Sequence, residues 1–216
     1  MHPRSLDEAR ASRITDEVIK VLPYINSLKI AGIGEPFDSR HYMRILDRLN
    51  RKEHPNLQLQ LVTNGLGLTE ARLQSFSNRG MNLAAVQISI DAATKETYEK
   101  LRINGVFAEL VGNLYAVSNA RKRQKINRLA FSFVVQAANF REMKSFVSMG
   151  KEFGADEIRF EILDNWNVMG TERYSKLAVH QSDHPDFREF TDLISDPIFK
   201  QDGVALGALA RLHSTG

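Results

Sequence analysis

Glu35, Asp91 and Glu161 are the carboxylates whose setting could do chemistry, since each lies at or near the end of an apolar segment. Gathered around one mouth, three carboxylates could bind a hard divalent cation or do acid-base work. Glu35 has the most constrained setting, in Leu28 to Pro36, L-K-I-A-G-I-G-E-P. Here an apolar strand runs into two glycines, an acid and a proline. Glycine opens the backbone to a ligand, and Pro36 disfavours helix in the residue before it. Glu35 is therefore expected to be extended at a strand's carboxyl end, where parallel α/β sheets and barrels bind ligands. The same residues also read as a plain strand-to-helix turn with a surface acid. Cysteine is absent, which excludes disulfides, thiolate nucleophiles and thiolate-held metals. The six histidines do not cluster, and His180 and His184 sit in a proline-containing loop or helix start, so no metal site is expected.

These residues need elements to position them. Ser5-Leu-Asp-Glu8 has capping-box form, and Ile14, Val18, Val21 and Leu22 recur at helical spacing, predicting a helix over Ser5 to Leu22 that Pro23 closes. Asp38 is expected to cap a second helix carrying Tyr42, Ile45, Leu46 and Leu49. Leu57 to Val62 alternates as a strand ending at Thr63-Asn64-Gly65, and Thr69 starts a short helix stopped around Gly80. Ala85 to Asp91 is the next strand, Thr94 the next cap, and Phe107 to Arg123 a longer helix. Leu129 to Gln136 reads as a strand, and Asn139-Phe-Arg-Glu142 as the capped start of a helix ending near Gly154. Glu157 to Leu163 is the last clear strand. Beyond it, Asn165 to Gly170 reads as a loop and a helix starts near Asp183, with Pro185 in its first turn. Strand-helix units about thirty residues apart imply right-handed crossovers and a parallel sheet, curled or open.

The strands' second face is polar. Val86, Ile88 and Ile90 oppose Gln87, Ser89 and Asp91, and Ile158, Phe160 and Ile162 oppose Glu157, Arg159 and Glu161; Gln58 and Gln60 repeat the pattern, Ser132 and Gln136 more weakly. A closed eight-stranded barrel or a doubly wound sheet would bury apolar residues there. The stripe therefore predicts a wet or ligand-filled interior, as in a wide incomplete barrel, or a two-layer sheet with one face in solvent. Buried without partners, such groups would cost about 1 to 3 kcal/mol each.

The 216 residues, 43% hydrophobic, suit a single domain over 1–216, with strand-helix units to 163 and a looser helical extension over 164–216. Charged residues are 25% of the chain and the net charge is only +3, so no nucleic-acid partner is expected. The basic run Arg121, Lys122, Arg123, Lys125 and Arg128 reads as a solvated helix end, or as a phosphate patch. No apolar run approaches the ~18 residues of a membrane span and the first twenty residues are not signal-like, so a cytoplasmic protein without a membrane partner is expected.

Several of these signals, in this order, resemble the core of radical S-adenosylmethionine (radical SAM) enzymes, a partial barrel of six strand-helix units. They are Gly34-Glu35-Pro36, Thr63-Asn64-Gly65, Ser89-Ile-Asp91 with Tyr98 and Arg102 following, Phe133 to Gln136 before Asn139, and Gly154-Ala-Asp156 leading into Phe160-Glu-Ile162. The resemblance implies that Gly34, Glu35 and Pro36 receive the methionyl amine of S-adenosylmethionine (AdoMet). It further implies that Ser89, with Asp91, faces the ribose and that Arg102 pairs with the methionyl carboxylate. Main chain around Ile162 would lie along the adenine, with Asn64 and Asn139 lining the cavity. In a reading without the ligand, Asp91 or Thr94 simply caps the following helix, and Arg102 is a solvated helix end.

The resemblance departs at its centre. The family holds a [4Fe-4S] cluster on three cysteines spaced C-x3-C-x2-C after the first strand, and the reduced cluster cleaves AdoMet to a 5′-deoxyadenosyl radical; this chain has no cysteine. Met1 aligns with the start of the family's first helix, so the first strand and cluster loop are expected to be missing. Three expectations stand side by side. One is a truncated, catalytically incompetent core with at most weak AdoMet binding and an exposed barrel edge open to association. The second is a non-catalytic binding module or partner subunit, that edge covered by Met1 to Arg13 or by another chain. The third is an unrelated α/β-barrel enzyme using Glu35, Asp91 and Glu161. A substrate could be a peptide, a sugar or a small metabolite.

Overall fold

The computed structural model describes residues 8–32, 34–165 and 168–215. The Ser5 end of the expected capping box, most of the expected covering segment Met1 to Arg13, and Trp166 and Asn167 of the expected loop lie wholly or partly outside them. The strands are β1 (Ser27–Ile30), β2 (Gln58–Thr63), β3 (Leu83–Ser89), β4 (Leu129–Val135), β5 (Glu157–Ile162) and β6 (Val204–Ala205). They form one parallel sheet in the order β1 to β6, the strand-helix succession of a partial TIM-like barrel. The helices are α1 (Glu8–Val21), α2 (Arg40–Arg48), α3 (Glu70–Asn78), α4 (Lys95–Leu101), α5 (Phe107–Lys122), α6 (Met143–Glu152), α7 (Thr171–Leu177) and α8 (Phe187–Ile194).

Two compact units divide the chain. One holds residues up to Ile88 together with Asn113–Leu129, and the other holds Ser89–Gly112 and the residues from Ala130 on. In the first, β2 alternates as expected: Leu59 and Leu61 are buried and Gln58 and Gln60 are not. Each buried leucine stabilises the fold by about 1.5 to 3 kcal/mol. Between β2 and β3 the register slips, Leu59 pairing with Leu83 and Gln60 with Ala85, so Ala84 is the extra residue of a bulge. The bulge sends Val86 and Ile88 inward and leaves Gln87 half-exposed. Helix α1 lies on α2, tied by Arg44 to Asp16 at 2.6 Å and by Thr15 Oγ1 and His41 Nδ1 at 3.3 Å.

The second unit is built on aromatic rings. Phe133 packs on Phe146 and Phe160 with centroids 4.8 and 5.4 Å apart, and Phe160 in turn meets Phe199 edge-on. Gly150 lets α6 approach β5, since a Cβ there would lie 2.6 Å from Ile158. In β5, Ile158 and Phe160 are buried and Glu157, Arg159 and Glu161 half-exposed, matching the expected polar face. β4 departs from it: every residue but Val134 is buried, Ser132 included, because the Ser132 hydroxyl bonds the Ser89 hydroxyl at 3.3 Å.

Several expected boundaries are corrected. Ser39, not Asp38, caps α2, its hydroxyl accepting the Tyr42 N–H, because the Asp38 N–H is drawn back to the Glu35 carbonyl in a turn. Asn139 caps no helix; a 3₁₀ turn over Phe140–Glu142 precedes α6, and the Asn139 carboxamide bonds elsewhere. Strand β3 stops at Ser89, two residues short of Asp91, whose φ of 67° leaves the extended region. The helix placed near Asp183 begins at Phe187, because Gln181 to Phe187 is taken up by turns around His184. Helix α7 and the two-residue β6 were not expected from the sequence.

Candidate functional site

In the first unit the chain after β1 is opened by Gly32 and Gly34, with φ of 151° and 106°. Glu35 follows, half-buried, and its carboxylate fastens the loop to the end of β2. Oε1 accepts the Thr63 hydroxyl at 2.6 Å and Oε2 the Asn64 N–H at 2.7 Å, with the Phe37 N–H on Oε1 at 3.4 Å. Asn64 turns its side chain on its own loop, Oδ1 accepting the Leu66 N–H at 2.9 Å. Asn113 of α5 closes the same loop, donating to the Gly65 and Leu66 carbonyls. Pro36 and Phe37 are buried, and Gly67 has no Cβ because one would meet the Phe37 ring base at 2.5 Å. The structure therefore brings Glu35 and Asn64 together, with Gly34 and Pro36 beside them. Thr63, the tightest partner of Glu35, was read from the sequence only as the end of a strand.

The second unit carries the other half of the expected residues. Asp91 is 9% exposed, and one carboxylate oxygen meets Arg102 Nη2 at 2.5 Å while the other accepts the Val134 N–H at 2.8 Å. Burial pushes the Asp91 carboxyl above its usual range, and the Arg102 charge and the Val134 N–H offset this only in part. Asn139, 1% exposed, braces the same point, donating to the Asp91 and Val134 carbonyls at 2.9 Å and accepting the Gln136 N–H at 2.8 Å. Arg102 makes no further side-chain bond among the described residues, and its Nε is buried without a partner. Ser89, two residues before Asp91, accepts the Ser132 hydroxyl at 3.3 Å. Ile162 ends β5 with 38% of its surface exposed, unlike Ile158 and Phe160 behind it on the same face.

Glu142 was read from the sequence only as the third position of a capping box. Its carboxylate instead accepts the Ala93 N–H at 2.6 Å, the Thr94 N–H at 3.1 Å, and the hydroxyls of Thr94 and Thr97 at 2.6 and 2.5 Å. This fixes the loop from Asp91 into α4, where Thr94 is the N-cap as expected. Burial works to raise the Glu142 carboxyl, but its four donors outweigh it and hold the group below the usual range. No local spacing announces a carboxylate bonding 48 residues back along the chain.

The three carboxylates of the metal or acid-base reading are differently placed. Glu35 and Asp91 are each engaged by protein donors, and among the described residues no group of three His, Cys, Asp or Glu side chains could hold a metal ion. His180 and His184 face separate partners, the Tyr174 hydroxyl at 3.3 Å and the Lys176 carbonyl at 3.2 Å. Burial, and then the neighbouring His184, lower the His180 pKa. Among the described residues no helix is long and apolar enough to cross a membrane.

Comparison with known proteins places the fold. No family model and no curated relative matches the sequence. Solved structures do, and the class they define is the radical SAM fold. A radical SAM methyltransferase from Sphaerobacter thermophilus superposes with a TM-score of 0.58 at 13% identity, over 91% of this chain and 56% of that one. SuiB from Streptococcus suis gives 0.57 at 11% identity, over 92% and 45%. Native anSMEcpe with bound AdoMet gives 0.53 at 18% identity, over 89% and 53%. The chain thus spans about half the length of the structures it resembles, and at these identities the likeness is one of fold.

The cluster that this fold implies does not fit these 216 residues. [4Fe-4S] ligation needs thiolates, the sequence has no cysteine, and no three alternative ligands converge among the described residues.

Proposed function

We propose that this chain is a radical SAM-type core that binds AdoMet without cleaving it, taking the methionyl carboxylate on Arg102 in the second unit, where Ser89, Asp91, Asn139 and Ile162 also lie. The carrying observation is Arg102, whose guanidinium is held by buried Asp91, while its side chain stays 28% exposed and makes no other bond with any described residue. A planar cation fixed in this way can take a carboxylate with little ordering entropy. That a structure of the same fold holds AdoMet supports the choice of ligand. Without thiolates these residues supply no reductive chemistry, and the role is that of a non-catalytic binding module. Where the cluster is absent its iron cannot help grip the methionyl group, so binding is weak.

Isothermal titration of the chain with AdoMet tests this, with Arg102→Lys and Ser89→Val as controls and far-ultraviolet circular dichroism as the check on folding. Saturable heat is expected, weakened about tenfold or more in Arg102→Lys, which keeps the charge beside Asp91 but loses the planar fork. No heat at millimolar ligand from a folded protein overturns the reading.

A further inference from the structure

A second surface in the first unit involves none of the residues assigned to AdoMet. Between α3 and the last turns of α5 runs a cleft of about 290 Å³, lined by Glu70, Leu73, Ser77, Ala120, Arg123 and Lys125, among others. Its floor is apolar, from buried Leu73 and from Ala116 and Ala120, whose small side chains four residues apart keep it deep. Its two ends carry opposite charge. Glu70 stands at the start of α3 and Ser77 near its end, about 10 Å apart at 1.5 Å per residue. The Lys125 carbonyl accepts the Leu83 N–H beyond the end of α3, which puts the basic pair at the end away from Glu70.

The end of α5 explains why those cations are free. Gln124 takes φ 57°, and the Gln124 and Lys125 N–H groups return to the carbonyls of Arg121 and Ala120 at 2.9 Å. This is a Schellman termination, in which the main chain satisfies carbonyls that basic side chains would otherwise neutralise. Arg123 and Lys125 are exposed and make no side-chain hydrogen bond or ion pair with any described residue.

We propose that this cleft is a docking site for an acidic and apolar peptide segment of a protein partner, its carboxylates on Arg123 and Lys125 and an apolar side chain on Leu73 and the two alanines. Charge decides between occupants. A nucleic-acid backbone would run its phosphates toward the Glu70 carboxylate and would leave the apolar floor uncovered. A peptide carries the two chemistries together and can place a basic or neutral residue beside Glu70.

The test pans a phage-displayed random dodecapeptide library on the full chain, then measures a synthesised, fluorescein-labelled winner by anisotropy. Enriched peptides are expected to pair Asp or Glu with Leu, Ile or Phe. Affinity should fall at least about tenfold in Arg123→Glu/Lys125→Glu, as for loss of charge-assisted contacts, and stay unchanged in Lys95→Glu. Raising salt should weaken binding, the contacts being exposed. The proposal is overturned by no enrichment, by winners without acidic residues, by equal affinity for the folded double variant, or by a hexauridylate that displaces the peptide. AdoMet titration of the same double variant reads the other site separately.

Discussion

At the scale of the residue, two carboxylates of the second unit are held in opposite ways, and the difference is measurable. Glu142 is stabilised as an anion by four donors, so its contribution is complete above the ordinary glutamate value of about 4.3 and is lost as pH falls through its lowered folded value. Asp91 has the reverse sign. Its folded value is raised by burial, so ionising it as pH rises from about 3.9 costs stability. Glu142→Ala should lower stability by about 1 to 3 kcal/mol near neutrality, and by less as the pH falls below the usual carboxylate range; urea midpoints at several pH values check this. Arg102→Met should cost about 3 kcal/mol by leaving Asp91 buried without its cation. Asp91→Asn/Arg102→Met should recover part of that loss, since asparagine tolerates the left-handed backbone at this position. Asp91 is legible in the sequence as the end of a strand pattern, and Arg102 only through the resemblance to radical SAM cores. Their pairing, and the hold of Glu142 on α4, depend on contacts that no spacing encodes.

At the scale of the element, the glycine-glutamate loop works because two loops lie against each other without a Cβ between them. Gly67→Ala would drive a methyl into Phe37, which must move and carry Glu35 with it. A loss of about 1 to 3 kcal/mol is expected, whereas Gly112→Ala, at an exposed position inside α5 with nothing within 4 Å of the added methyl, should not destabilise; paired thermal melts separate the two. Elements were legible where periodicity was local. Strand β5 reads directly from I-R-F-E-I, and Thr69 and Thr94 cap α3 and α4 as their sequences predict. Legibility failed where tertiary contacts rule. The last elements are α7, α8 and β6, and the rings of Phe190 and Phe199 pack on Phe140 and Phe160 from distant segments. A two-residue strand has no alternation to read.

At the scale of the whole molecule, the composition and the fold pull apart, and that opposition carries the last prediction. The fold is shared with radical SAM structures, while the chemistry of that class depends on thiolates that these 216 residues lack. Fold constrains where a ligand can lie; the reaction depends on the groups placed there. Incubating the chain with ferrous iron and sulfide under reducing, oxygen-free conditions, then desalting, should leave no iron in cluster stoichiometry. AdoMet should bind with the same heat before and after that treatment, because the proposed contacts, Arg102 foremost, involve no metal. Adding dithionite should release no 5′-deoxyadenosine above a protein-free control. Retained iron accompanied by 5′-deoxyadenosine would mean that oxygen and nitrogen ligands can support the cluster on this fold, and the reading of a binding module would fall. Unchanged AdoMet binding without iron would separate recognition of the cofactor from its cleavage, with recognition resident in the strand-end residues alone.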